Sequence, residues 1–218
     1  MKRKSIAQEY FILVINEKGM MPGMYREEAK AGVVTAGIMD LLFDDIITVE
    51  KKQITVIKDL PGKLEHMISL YTYLKEKPRS FDKLMRDYLL STGSRLKKLT
   101  EEIGESLLVD ETVKKAQGGL FGKKTIYIPE QKYKQEVKNV IKSLATEDGE
   151  ITPHDMALLY ILHETKNFDP HFSKLERKLW RAKWKEIKKN PQNKQMAYII
   201  NYISDMTAVM ATVVLTSV

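Results

Sequence analysis

The chain has 218 residues, 43% of them hydrophobic and 30% charged, enough apolar material for one substantial core under a well-solvated surface. A net charge of +7 and a pI of about 9.3 favour acidic partners: nucleic acid, anionic lipid or an acidic protein. There is no cysteine, so disulfides, thiolate zinc sites and thiol catalysis are excluded together.

Met1-Lys2-Arg3-Lys4 is basic, but the apolar run from Tyr10 to Ile15 is too short for a secretory leader and lacks a small-residue cleavage site. Ser5 with Gln8 has the spacing of a capping box, so a helix is predicted to Ile15, closed by Asn16-Glu17-Lys18-Gly19. A second helix is predicted over Tyr25 to Phe43, with Ala29, Val33, Ala36 and Leu41 inward. "IITVEKKQITVI" (46–57) gives two β-branched runs around Lys51-Lys52 and predicts a hairpin. "DLPGK" opens a helix that places Leu64, Met67, Ile68, Tyr71 and Leu74 on one face. Ser80 caps the next, with Phe81, Leu84, Met85, Tyr88 and Leu89 inward.

After Gly93 a further helix turns Leu96, Leu99, Ile103 and Leu107 inward. Two extended runs follow, Leu107 to Thr112 and Thr125 to Ile128, with "GGLFGKK" between them at the tip of a second hairpin. The helix after Pro129 carries Tyr133, Val137, Val140, Ile141 and Leu144. Thr152-Pro153-His154-Asp155 supplies cap, first-turn proline and first-turn carboxylate for another. The last helices are predicted from about Ser173 to Lys189 and from Lys194 to the end. The final one is apolar, but Asn201, Ser204 and Asp205 interrupt it, which suits a buried helix better than a membrane span. The expected fold is mainly α: a single-domain helical bundle over 1–218 with two short β-hairpins, one protruding. Residues 1–5 are candidates for disorder.

Three stretches stand out. The hairpin tip sets Leu120 and Phe121 between glycines, with Lys123 and Lys124 behind them. Burying the apolar pair is worth ~1.5–3 kcal/mol each, and a lysine beside an anionic bilayer about 1 kcal/mol. Together they reach roughly 5–8 kcal/mol before ordering costs, which means reversible docking. The competing reading packs Leu120 and Phe121 on the protein itself or on a second subunit. Residues 174–189 hold eight Lys or Arg against two Glu. At 100° per residue Lys174, Arg177, Lys178, Arg181, Lys185, Lys188 and Lys189 share one face, bordered by Trp184, while Leu175, Leu179 and Ala182 fall on another. That stripe suits phosphates, or is an ordinary solvated surface. In "SRLKKLTEE" Arg95 and Lys98 lie one turn apart and could hold a phosphate, or form an exposed helix start.

His66, His154, His163 and His171 match no metalloenzyme spacing, so no metal site is expected. "GGLFGKK" lacks the spacing of a phosphate-binding P-loop, and no nucleophile motif is visible. No cofactor and no enzymatic activity are expected.

The ordering of elements resembles the Golgi phosphoprotein 3 family, including its bacterial branch. The resemblance runs from about Ile6 to Val218. It is carried by "PGMYREEAKAGVVTAGIMDLLFDDIITVEKKQITV", by "HDMALLYILHETKNFDPHF" and by the closing apolar helix. It implies a largely helical, non-enzymatic peripheral membrane protein that binds phosphatidylinositol 4-phosphate through an aromatic residue and arginines beside a protruding hairpin. Eukaryotic members also hold glycosyltransferase tails. The family's pocket tryptophan falls here on Tyr25 and an arginine further along that helix on Val34. Of two arginines before the second hairpin, one matches Arg95 and the other lands near Thr92. Those departures shift the expectation from one phosphoinositide to anionic phospholipid in general.

The expected function is therefore reversible docking of a cytoplasmic protein on an anionic membrane. Tyr25, Leu120 and Phe121 would meet the interface, and Arg95, Lys98, Lys123 and Lys124 the head groups. A homo-oligomer through the hairpin is a further possibility. Two rivals stand. One is a winged-helix-like nucleic-acid binder, since helix, strand, turn, strand occurs at 23–57 and again at 94–128. The other is a scaffold that recruits protein tails.

Overall fold

The computed structural model describes residues 3–90, 93–119, 123–146, 151–189, 201–202, 204–205, 208–209 and 211–213. The predicted capping box is present. Gln8 N donates to Ser5 Oγ (3.3 Å) and Ser5 N to Gln8 Oε1 (3.1 Å), opening α1 (Ile6–Val14). The next free amides of this first turn, Ile6 N and Ala7 N, donate to the buried Asp40 carboxylate at 2.8 and 2.9 Å. Burial pushes Asp40 up to about 6, while these two N–H bonds pull it the other way. His66, also buried, meets Ser5 Oγ at 3.0 Å, and burial lowers it to about 4. Lys4 is buried too and pairs with Asp110.

Asp40 belongs to α2 (Arg26–Phe43), which is buried along most of its length. α1 runs antiparallel to it: residues 6 and 7 meet Asp40, whereas Tyr10 meets Gly32. Any Cβ at position 32 would overlap the Tyr10 ring, so a glycine is what lets these helices close. The Tyr10 hydroxyl then donates to Thr165 Oγ1 at 3.0 Å.

β1 (Ile47–Glu50) and β2 (Gln53–Val56) form the first predicted hairpin. Its turn places Lys51 and Lys52 at φ 49° and 64°, the left-handed pair that a two-residue hairpin requires. β3 (Arg79–Ser80) adds a short third strand beside β2. Between them "DLPGK" begins as a 3₁₀ segment, Gly62–Met67, before α3 (Ile68–Lys75). Leu64 is non-helical there (φ −112°, ψ 17°), yet Leu64, Met67, Tyr71 and Leu74 are buried as predicted. Leu70 and Tyr73 are inside as well, and Ile68, predicted inward, is exposed.

Ser80 caps α4 (Phe81–Leu89), accepting from Lys83 N at 3.2 Å. α5 (Ser94–Leu108) buries Leu96, Leu99, Ile103 and Leu107 as predicted. The second hairpin starts later than the sequence suggests. Leu107 completes the apolar row of α5, Glu111 turns the chain at φ 56°, and Thr112 N closes onto Leu107 O. The strands are β4 (Val113–Gly118) and β5 (Lys124–Pro129), antiparallel from Val113↔Pro129 to Gly118↔Lys124. α6 (Gln131–Thr146) follows, with Val137 and Ile141 buried but Val140 outward. Thr152 caps α7 (Pro153–Glu164), and a 3₁₀ turn, Asp169–His171, leads to α8 (Lys174–Lys189). Residues 190–200 lie outside the description; helix is present at the described positions between 201 and 213. One apolar cluster runs from Ile6 in α1 to Val213. The fold is mainly α with two small antiparallel sheets.

Candidate functional site

The second hairpin is seated on α5. Tyr127 lies over Gly104 so closely that any Cβ there would enter its ring. Its hydroxyl donates to Glu105 at 2.6 Å, and Lys115 pairs with the same carboxylate at 2.5 Å. On the other strand face Ile126 meets the loop between α1 and α2. Gly19 sits there at φ 67°, where a Cβ would stand 2.8 Å from Ile126 Cβ. Asn16 shapes this loop: its Oδ1 accepts from Lys18 N (2.9 Å) and Met20 N (3.1 Å), and its own N–H donates to Met20 O.

The consequence is an apolar outward display that sequence reasoning missed. Met20 is 45% exposed and Met24 82%. The signal was present as "MMPGMY", where methionines flank a Pro-Gly bend. Tyr25 follows at the α2 N-terminus, half-buried, with Lys166 Nζ 5.3 Å from its ring centroid and Glu28 3.8 Å from that lysine. Lys123 and Lys124 close the hairpin stem, exposed and without an ion pair among the described residues. Leu120, Phe121 and Gly122 lie outside the described residues, as does Thr92.

Arg95 and Lys98 are brought together, but elsewhere. They line a groove of about 230 Å³ with Ile68, Ser69, Tyr73 and Tyr88. Arg95 Cζ lies 5.3 Å from the Tyr73 ring centroid and Arg79 Cζ 3.9 Å from it. The Tyr73 hydroxyl donates to Asp87 at 2.6 Å, and Lys83 pairs with Asp87 at 2.7 Å. Burial, then Asp87, pushes the Tyr73 hydroxyl upward. Asp87 stays below the usual carboxylate range: desolvation opposes this, but Lys83 and Tyr73 outweigh it. Gly104, the hairpin seat, is nine residues beyond Arg95, half a turn round at 100° per residue. Arg95 therefore faces away from the hairpin, and among the described residues no contact joins it to Tyr25. Val34, where the resemblance expects an arginine, is fully buried in α2.

The basic stripe on α8 is present, but the helix sits differently from the simplest reading. Its packed side is Trp180 and Trp184, both buried. Leu175 and Leu179 point outward, 66% and 44% exposed. Lys174, Lys178, Arg181, Lys185 and Lys189 are exposed as well, and Arg177 is half-buried. Arg177 and Arg181 reach Asp169 at 3.2 and 3.9 Å. The Lys188 side chain lies outside the described ones.

A family model described as Golgi phosphoprotein 3 (GPP34) matches residues 6–203, spanning α1, both hairpins and α8. The chain belongs to the Golgi phosphoprotein 3 family. A comparison with curated proteins found no match. The family is not a catalytic one, and three of the four histidines of this member have structural partners, His66 on Ser5 Oγ as above. His154 meets Glu9 at 2.9 Å, and His163 lies edge-on to Phe168. Among the described residues no group of three or more His, Cys, Asp or Glu is placed to hold a metal ion. Among them, too, no helix is long and apolar enough to cross a membrane.

Proposed function

We propose that this Golgi phosphoprotein 3 family member is a non-catalytic peripheral protein. It docks reversibly on anionic membrane surfaces facing the cytoplasm, through the edge formed by the 16–25 loop and the second hairpin. The observation that carries the reading is the outward placement of Met20 and Met24 on a loop packed against a stem that ends in Lys123 and Lys124, which have no ion pair among the described residues. Thioether side chains gain ~1.5–3 kcal/mol each on leaving water, and each lysine near the surface about 1 kcal/mol. Their sum, roughly 5–8 kcal/mol less ordering costs, matches reversible association. Tyr25 adds an aromatic ring of the kind favoured at the head-group level. With Val34 buried where an arginine would meet phosphate, net negative charge rather than one head group sets the preference.

Co-sedimentation with phosphatidylcholine vesicles, with and without phosphatidylserine, tests this. The wild-type chain should pellet only with the anionic vesicles. A Met20→Ser/Met24→Ser variant should bind at least about tenfold more weakly, and Phe121→Ser should add to the loss. Equal binding of wild type and variants to both vesicle types would remove the proposal. Salt-sensitive capture of duplex DNA in place of vesicles would favour the nucleic-acid reading instead.

A further inference from the structure

We infer that α8 is a second lipid-docking surface, separate from the hairpin edge, that lays Leu175 and Leu179 into the head-group layer of an anionic bilayer while its free lysines meet the phosphates. The inference rests on the membrane reading above and adds an element to it.

The first observation concerns how α8 is held. Its inner side is bound into a run of aromatic rings. Phe172 stacks on Phe168 at 3.7 Å between centroids, Phe168 on Trp180 at 5.6 Å, and Trp180 on Trp184 at 5.6 Å; Trp184 then meets Tyr160 at 4.4 Å. This run fixes the rotation of the helix, so the outward side is fixed too. Leu175 and Leu179, one turn apart, cannot turn inward without withdrawing Trp180 and Trp184 from the core.

The second observation is the state of the cations. Arg177 and Arg181 are turned onto Asp169. Lys174, Lys178, Lys185 and Lys189 are exposed and have no ion pair among the described residues. At 100° per residue Lys174, Lys185, Lys178 and Lys189 cover about a sixth of a turn that borders Ala182 and Leu175, and Leu179 follows. An apolar ribbon edged by long cationic stems is what an interfacial helix needs: leucines at the acyl boundary, lysines extending outward to phosphate.

Other occupants fit less well. A nucleic-acid backbone would reward the lysines and leave both leucines in water. A protein partner would cover the leucines, but protein interfaces are depleted in lysine and enriched in arginine. Here the cations with no ion pair among the described residues, Lys174, Lys178, Lys185 and Lys189, are all lysine, and both arginines reach Asp169. A lipid surface alone uses both features.

The chain has no cysteine and two tryptophans, both on the buried side of α8, and the experiment uses both facts. Leu179→Cys and, separately, Phe121→Cys are labelled with a polarity-sensitive fluorophore and titrated with phosphatidylcholine vesicles with and without phosphatidylserine. Unchanged tryptophan emission in each variant shows that α8 keeps its seat. The expected result is a blue shift of the position-179 label on anionic vesicles only, with Lys178→Gln/Lys185→Gln weakening vesicle affinity roughly thirty-fold. If the position-121 label shifts and the position-179 label does not, the hairpin reading stands and this inference fails. The reverse pattern keeps α8 and removes the hairpin edge. No shift and no sedimentation removes both. A shift at position 179 driven equally by polyglutamate or duplex DNA would also overturn the lipid assignment.

Discussion

Two cationic regions of this molecule contain similar residues and are built on opposite plans. Around Tyr73, Arg79, Arg95 and Lys83 each have a counterpart, while Lys98 at the rim of the same groove has no ion pair among the described residues. Arg79 lies on the ring and pairs with Glu76 at 2.5 Å, Arg95 borders the same ring, and Lys83 is matched by Asp87. Asp87 also holds the Tyr73 hydroxyl and lies within electrostatic reach of Arg95. On α8, four exposed lysines stand in water beside two exposed leucines. The first region spends its charge on holding α3, α4 and α5 together. The second leaves charge and apolar surface for something outside the chain. Counting basic residues cannot separate these plans; the partners of each residue do.

The largest effect should come from the matched region. Tyr73→Ala removes the ring between Arg79 and Arg95 and leaves Asp87 without its hydroxyl donor. Its side chain is buried, so urea unfolding should report a loss of about 3–5 kcal/mol, with vesicle affinity intact in the folded fraction. A loss below about 1 kcal/mol would mean that the cluster is ornamental and that Arg95 is free to bind anions.

Asp87 gives the next effect, read through pH. Its folded carboxyl is held below the unfolded value of 3.8. The stability it contributes is thus fully present above 3.8 and is lost as pH falls through the depressed folded value. Asp87→Asn should cost about 1–3 kcal/mol at neutral pH and should flatten the acid limb of the stability curve below that window. An unchanged acid limb would show that Asp87 is not the anion that matches this cluster.

The same contrast explains what was legible in the sequence. Helix starts were readable because capping is local: Ser5 with Gln8, Ser80 and Thr152 each act within a few residues. The Lys51-Lys52 turn was readable because two β-branched runs flank it. Errors arose where tertiary packing chose between faces. Ile68 lies about 100° round from the buried row of Met67, Tyr71 and Leu74 and is exposed, while Leu70 and Tyr73 extend that row on its other side. On α8 the leucines and the tryptophans each define an apolar side, and only the aromatic run from Phe168 to Tyr160 decides that the tryptophans go in. Likewise the shared face of Arg95 and Lys98 is legible from their spacing, but nothing local in "SRLKKLTEE" says that they line a groove with α3 and not with the hairpin. Met20 and Met24 went unnoticed because methionine near a Pro-Gly bend does not mark its own exposure.

The smallest effect tests the unmatched region by its stability. Lys174 and Lys178, Arg181 and Lys185, and Lys185 and Lys189 are like-charged neighbours four residues apart on α8. Each such pair costs roughly 0.2–0.5 kcal/mol in an exposed helix. Lys178→Gln/Lys185→Gln removes all three repulsions and, if the lysines have no partner, breaks nothing. Stability should therefore hold or rise by up to about 1 kcal/mol at low salt. The gain should vanish in about 1 M salt, where the screening length falls to roughly 3 Å. A chain that instead loses more than about 1 kcal/mol would show that these lysines serve the fold as Arg79 does, and the division between the two regions would collapse. Stability that rises at low salt while anionic-vesicle affinity falls is the one combination that a purely structural stripe cannot produce, because only an external anion rewards charges that the folded chain is better off without.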